Sequence, residues 1–243
     1  MKSVLTATFL MLAMSTPSFA DNRGKLIFSD DFERNESVET TEEVGNGWAT
    51  NSKKRAAGNK QVDLRDGAMY IYIHKAADHG VSVTHPLGIR DGSVELRFKL
   101  DDAKDSIGLN FADLKYKAVH AGHICMARIH AKHVQLFDLK TGNMDKKIRE
   151  ARQAKKLTDE QKKLIASKSK KFNHKLSIGN WHKLIVTIKG DTISASIDGK
   201  AVGSFSSEGI AHPTKRTLRL AVPKNAWVDD VKFYSLGKAA ASK

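Results

Sequence analysis

Residues 181–205, WHKLIVTIKGDTISASIDGKAVGSF, permit few folds. Leu184, Val186 and Ile188 alternate with other residues, Lys189-Gly190-Asp191 turns the chain, and Ile193, Ala195 and Ile197 alternate back. Asp198-Gly199 then makes a tight turn, where glycine supplies the positive φ that a two-residue hairpin requires. Successive side chains of a strand point to opposite faces, so this pattern predicts an antiparallel meander with one packed and one wet face. The same period runs through residues 68–74, 92–100, 106–112 and 228–236. In GSVELRFKL (92–100), Val94, Leu96, Phe98 and Leu100 fall on the core side, while Glu95, Arg97 and Lys99 face away. Roughly a dozen such short strands predict an all-β sandwich.

One segment breaks the period. Between Asp145 and Lys175, twelve Lys/Arg stand against four acids (Asp145, Glu150, Asp159, Glu160), a net of +8 in a chain of formal charge +14. Its Lys, Arg, Glu, Gln and Ala favour helix, and Thr158 with Gln161 reads as a capping box. Residues 143–175 are therefore expected to be a basic helical insertion. Such a charge density attracts polyanionic surfaces, here through Lys146 to Lys171, or serves only as a solvated face. The interspersed acids and the expected export argue against nucleic acid.

The first twenty residues read as a signal peptide: Lys2, an apolar run over residues 4–14, and Ser18-Phe19-Ala20 before a cleavage point after Ala20. No other stretch is apolar for long enough to cross a bilayer as a helix. Cys125 is the only cysteine, so no intrachain disulfide can form. These features predict a secreted or periplasmic bacterial protein, with one domain over residues 24–237 and a frayed tail at 238–243.

HAGHICMARIHAKH (120–133) places four histidines in a short stretch. Strict alternation puts His123, Cys125, Ala127 and Ile129 on one face and Ile124, Met126, Arg128 and His130 on the other. His130 then meets His133 across a hairpin turn, and Arg128 meets Gln135. The four imidazoles cannot converge, and two ligands are too few for a structural zinc.

NWHKLIVTIKGDTISASIDGKAVG (180–203), VDDVKFYSL (228–236), and LIFSDDFER (26–34) with Trp48 together resemble the concanavalin A-like, laminin G-like jelly roll. The basic excursion followed by SEGIAHPTK (207–215) is similar to exported bacterial proteins near the family-16 glycoside hydrolases and the 3-keto-disaccharide hydrolase domain. That resemblance implies two antiparallel sheets and a glycan-related function. The ExDxxE motif of family-16 catalysis is absent, since Glu95-Leu96-Arg97 has arginine in place of the second carboxylate. Neither a GxSxG elbow nor the flanking motifs of jelly-roll alginate lyases occur.

The leading expectation is thus a lectin-like domain holding glycan, anionic polysaccharide included, along a polar sheet face lined by Glu95, Arg97, Lys99, Arg128, His130 and Gln135. The alternative is a glycoside hydrolase or lyase with Glu95 as acid or base and His130 or His212 as proton shuttle. A third is a structural or interaction role in the cell envelope. Asp31 and Asp230, beside Asp30 and Asp229, are candidate ligands for a structural Ca²⁺ if the first and last strands adjoin. Trp181 is expected in the core, with Trp48 and Trp227 open between core and sugar platform.

Overall fold

A computed structural model describes residues 23–237, so the expected signal peptide and tail lie outside the described residues. The chain runs β1 (Lys25–Asp30), β2 (Ala49–Thr50), α1 (Ser52–Arg55), β3 (Val62–Arg65), β4 (Ala68–Tyr72), β5 (Val81–Ile89), β6 (Gly92–Lys99), β7 (Ser106–Ala112), β8 (His123–His130) and β9 (His133–Asp138). It continues through α2 (Lys146–Gln153), α3 (Asp159–Ser167), β10 (Ser169–Asn173), β11 (Trp181–Lys189), β12 (Thr192–Ile197), β13 (Lys200–Ser206), β14 (Lys215–Val222) and β15 (Asn225–Ser235). Among the described residues no helix is long and apolar enough to cross a membrane.

Two antiparallel sheets form a sandwich. Sheet A has eight strands, ordered β13-β12-β11-β6-β15-β4-β3, with β1 pairing the second half of β15. Sheet B has seven, ordered β10-β9-β8-β7-β14-β5-β2. The predicted alternation is realised: Val94, Leu96 and Phe98 of β6 and Leu184, Val186 and Ile188 of β11 meet Leu109, Phe111, Leu136, Leu218 and Leu220 of sheet B in one buried core. Asp198 and Gly199 carry φ of 51° and 76°, as the β12–β13 turn demands.

The insertion is only partly helical. Asp145 caps α2 by accepting from the Ile148 N–H at 3.1 Å, and Thr158 and Gln161 form the expected capping box on α3. Residues 169–173 are instead the edge strand β10, paired to β9 with Phe172 opposite Val134. Its half-buried Phe172 packs against the core, and tertiary burial overrides the helix propensity of the lysines around it. A β-carbon on Gly203 would fall 2.3 Å from that ring, so glycine is what lets β13 of sheet A close over β10 of sheet B.

Trp181 is not in the core. Counting back from Leu184 by twos reaches His182, which is buried, whereas Trp181 lies half-exposed on the outer face of sheet A. Trp48 is buried and donates to Asp30 Oδ2 at 2.8 Å; Trp227 lies half-exposed on the outer face and donates to Asp101 at 2.7 Å.

Candidate anion-binding cleft

The six residues expected to share a groove divide between opposite surfaces. Glu95, Arg97 and Lys99 lie on β6 in sheet A, whereas Arg128, His130 and Gln135 lie on β8 and β9 in sheet B. All point away from the core, but two sheets packed about 10 Å apart separate them. Alternation tells which way a side chain points, not which sheet its strand joins.

The sheet A group is satisfied within itself. Glu95 is buried, with Oε1 2.7 Å from Lys183 Nζ and Oε2 bonded to Arg23. Arg97 donates to Asp229 at 3.0 Å and covers the Trp181 ring. Lys99 lies 4.4 Å above Trp227, which in turn packs 4.5 Å from Tyr70. The alternative catalytic set is not assembled either. Glu95 and His130 face opposite sides of the sandwich, and His212 is buried elsewhere, its Nε2 3.0 Å from Asp113 Oδ2. Arg216 holds the same carboxylate at 2.6 Å, and together these partners keep Asp113 below the usual carboxylate range despite burial, which acts the other way.

On the outer face of sheet B lies a cleft of about 520 Å³. Two rows of side chains build its floor. Asn110 of β7 lies between Met126 of β8 and Arg219 of β14; one step along, Gly108 lies between Arg128 and Ala221. The small residues Gly108 and Ala221 leave the second row low. Asn51, Arg55 and His79 form one wall, and His120, Ala121, Asn143 and Met144 the other.

The HAGH segment shapes the second wall. Gly122 has φ of 70°, and a β-carbon there would fall 2.4 Å from the Asp113 carbonyl oxygen, so only glycine passes. A register shift follows: His123 sits opposite Ala112 and Cys125 opposite Phe111, leaving Ile124 as the extra residue of a β-bulge. The bulge moves His123 to the cleft side, contrary to strict alternation, with its ring 6.2 Å from that of His120. Its Nδ1 lies 3.1 Å from Asn110 Oδ1 and 3.1 Å from Arg219 Nη1.

Among the described residues that line the cleft there is no aspartate or glutamate. Among the described residues Arg219 hydrogen-bonds only neutral groups, His123 and the Ala121 carbonyl at 3.4 Å. Arg128 Nη2 lies 3.8 Å from the Met126 sulfur, and its Nε is buried without a hydrogen-bond partner. Burial depresses the pKa of both guanidiniums. Burial and then Arg219 push His123 down to about 3, so it is neutral and adds no competing charge. His120 is lowered too, by burial and then by Arg149, Arg219 and Arg152.

His130 and His133 meet as expected, their rings stacked 4.3 Å apart at the far end of the β8–β9 hairpin. Neither lines the cleft, and burial followed by His133 brings His130 down to about 4. Gln135 is engaged with Ser169 at 3.1 Å. Arg128 alone of the six expected residues is in the cleft. Unbroken alternation turns His123 away from this face, and Arg219, between Leu218 and Leu220 of an ordinary strand, carries no local signal.

Asp31 and Asp230 do line one crevice, of about 260 Å³, but Arg34 and Lys232 line it with them. Lys232 holds Asp230 at 2.8 Å and Arg34 holds Asp30 at 2.6 Å. Among the described residues no three acidic, histidine or cysteine side chains are placed to hold one metal ion. Ca²⁺ takes six to eight oxygen ligands, and a crevice in which Arg34 and Lys232 already hold two of the three lining aspartates fits it poorly.

No family model and no curated protein matches this sequence. Solved structures do match in fold. The laminarinase from Rhodothermus marinus superimposes with a TM-score of 0.58 at 10% identity, over 87% of this chain and 97% of its own. The Bacillus licheniformis β-glucanase gives 0.54 at 11% identity, over 87% and 98%. A non-specific endo-β-1,3(4)-glucanase from family GH16 gives 0.54 at 13% identity, over 86% and 90%. Identities this low carry the architecture alone. With two antiparallel sheets, this strand order and these superpositions, the chain is a concanavalin A-like jelly roll.

Proposed function

We propose that this protein is an exported glycan-binding module that holds an anionic saccharide in the cleft on the outer face of sheet B. The observation that carries the reading is the pair Arg128 and Arg219, half-buried on the cleft floor, with no carboxylate among the described residues that line it and Arg128 Nε buried without a partner. A cation drawn partly out of water with no carboxylate partner carries a desolvation cost that a bound anion would offset. A guanidinium meets a carboxylate or sulfate through two parallel hydrogen bonds, a geometry that also gives specificity. Asn110 and Asn143 offer amides for hydroxyl groups, and Met126, Phe137 and Met144 offer apolar surface. That solved structures of this fold include β-glucanases supports a sugar as the ligand.

Binding is favoured over hydrolysis because glycosidases place two carboxylates about the scissile bond, and none lines this cleft. The test is affinity electrophoresis of the mature protein through gels holding neutral, uronate-containing or sulfated polysaccharide. Retardation in the anionic gels, relieved in Arg219→Ala, is the expected result. Equal mobility in every gel, or retardation by neutral polysaccharide alone, would overturn the reading.

A further inference from the structure

The cleft does not end at its walls. Helix α2 is fastened to its rim: Asn143 and Met144 line it, Val119 bridges Asp145, and His120 N–H donates to the Met144 carbonyl at 2.8 Å. Ile148 is buried and fixes which side of α2 faces the body. Arg149, about 100° round the helix from Ile148, is half-buried, and Arg152, one turn on from Ile148, is exposed, so two guanidiniums border the side that faces the body. Arg149 is half-buried and donates to Gln153 at 2.8 Å; among the described residues neither arginine is ion-paired. Their charge reaches the cleft wall, since both depress His120 together with Arg219.

Resting on the reading of the cleft as an anionic-glycan site, we infer that α2 extends that site into a cationic track, so that the ligand is a polymer read over several charged sugars. At 1.5 Å per residue, Arg152 stands about 10 Å along the helix from Asp145 at the rim. One charged sugar between Arg128 and Arg219 cannot touch it directly, and salt screens most of the attraction over that distance. A chain leaving the cleft along α2 meets Arg149 first and Arg152 next. The track is narrower than the net charge of the insertion suggests. Helix α3 buries no residue, carries Asp159 and Glu160, and pairs Lys162 with Asp159 at 2.9 Å. It is the solvated part of the insertion, and α2 the binding part.

Chain length is the variable that tests this. Titration calorimetry of the mature protein with two ladders, uronic-acid oligomers and sulfated oligomers, each from monomer to long chain, separates the contributions and identifies the anion. In the wild type, affinity should climb with length. In Arg149→Ala/Arg152→Ala the long chains should bind about tenfold more weakly while the monomer loses no more than about twofold. Arg149→Lys/Arg152→Lys should recover most of the climb, because the attraction is of charge. Arg219→Ala should weaken every length alike. A wild-type affinity independent of length, or a double variant that loses monomer and polymer equally, overturns the track and leaves the cleft reading standing. If no charged oligomer of either ladder binds the wild type, the cleft reading itself fails.

Discussion

Acidification should destabilise this protein well before its carboxylates titrate. His123 and His130 are held neutral, with pKa values pushed down to about 3 and about 4, chiefly by burial. In the unfolded chain each returns to about 6.5. A base that protonates less readily when folded binds fewer protons in the native state, so stability rises with pH between the two values and is lost as pH falls through the unfolded one. Going from about pH 7.5 to about pH 5.5 costs RT ln(1 + 10), about 1.4 kcal/mol, for each such histidine and about 3 kcal/mol for the pair. His120, His133, His174 and His212 are shifted in the same direction and add to the loss. Unfolded carboxylates titrate near 4 and contribute almost nothing over this interval. Urea denaturation at the two pH values measures the difference, and His130→Gln, neutral at both, should show a pH-dependent loss smaller by about 1.4 kcal/mol. A wild type equally stable at both pH values, or a His130→Gln variant with the full loss, would refute the reasoning.

Three further outcomes follow from the same geometry. Arg219→Met removes a half-buried cation that has no carboxylate partner while keeping its stem, so stability by urea denaturation should be unchanged or higher by up to about 2 kcal/mol as anion affinity falls more than tenfold; a clear destabilisation would mean the arginine is structural. Gly108→Val raises the cleft floor beside Met126 and Ala221, and calorimetry should find binding lost with stability altered by less than about 2 kcal/mol. Cys125 is fully buried with its thiol pushed up to about 12, so a disulfide-exchange reagent should label it only after denaturant is added; rapid labelling of the folded protein would contradict that burial.

Much of the fold was legible because it depends on local periodicity. Leu184, Val186, Ile188 and Val94, Leu96, Phe98 face the core as their spacing predicts, and Thr158 caps α3 as its sequence predicts. What misled were features set by partners distant in sequence. The lysines of residues 169–173 favour helix, yet Phe172 finds the core and Val134 supplies a strand to pair with. Glu95 and Arg128 both read as wet-face residues, and only the strand order puts them on opposite sheets. The cleft was least legible. It depends on one unpaired residue, Ile124, that rotates His123 out of phase, and on Arg219, whose meaning comes from the carboxylates that are missing around it. The glycine of HAGH was the available signal: Gly122, at positive φ against the Asp113 carbonyl, marks where alternation restarts.

The most direct measurement is a crystal structure of the protein with a charged oligosaccharide bound. A carboxylate or sulfate lodged about 3 Å from the guanidiniums of Arg128 and Arg219, with the sugar chain continuing toward Arg149, is what the account predicts. A sugar stacked instead on Trp181 and Trp227 across the outer face of sheet A, with the cleft on sheet B filled by solvent, would contradict it.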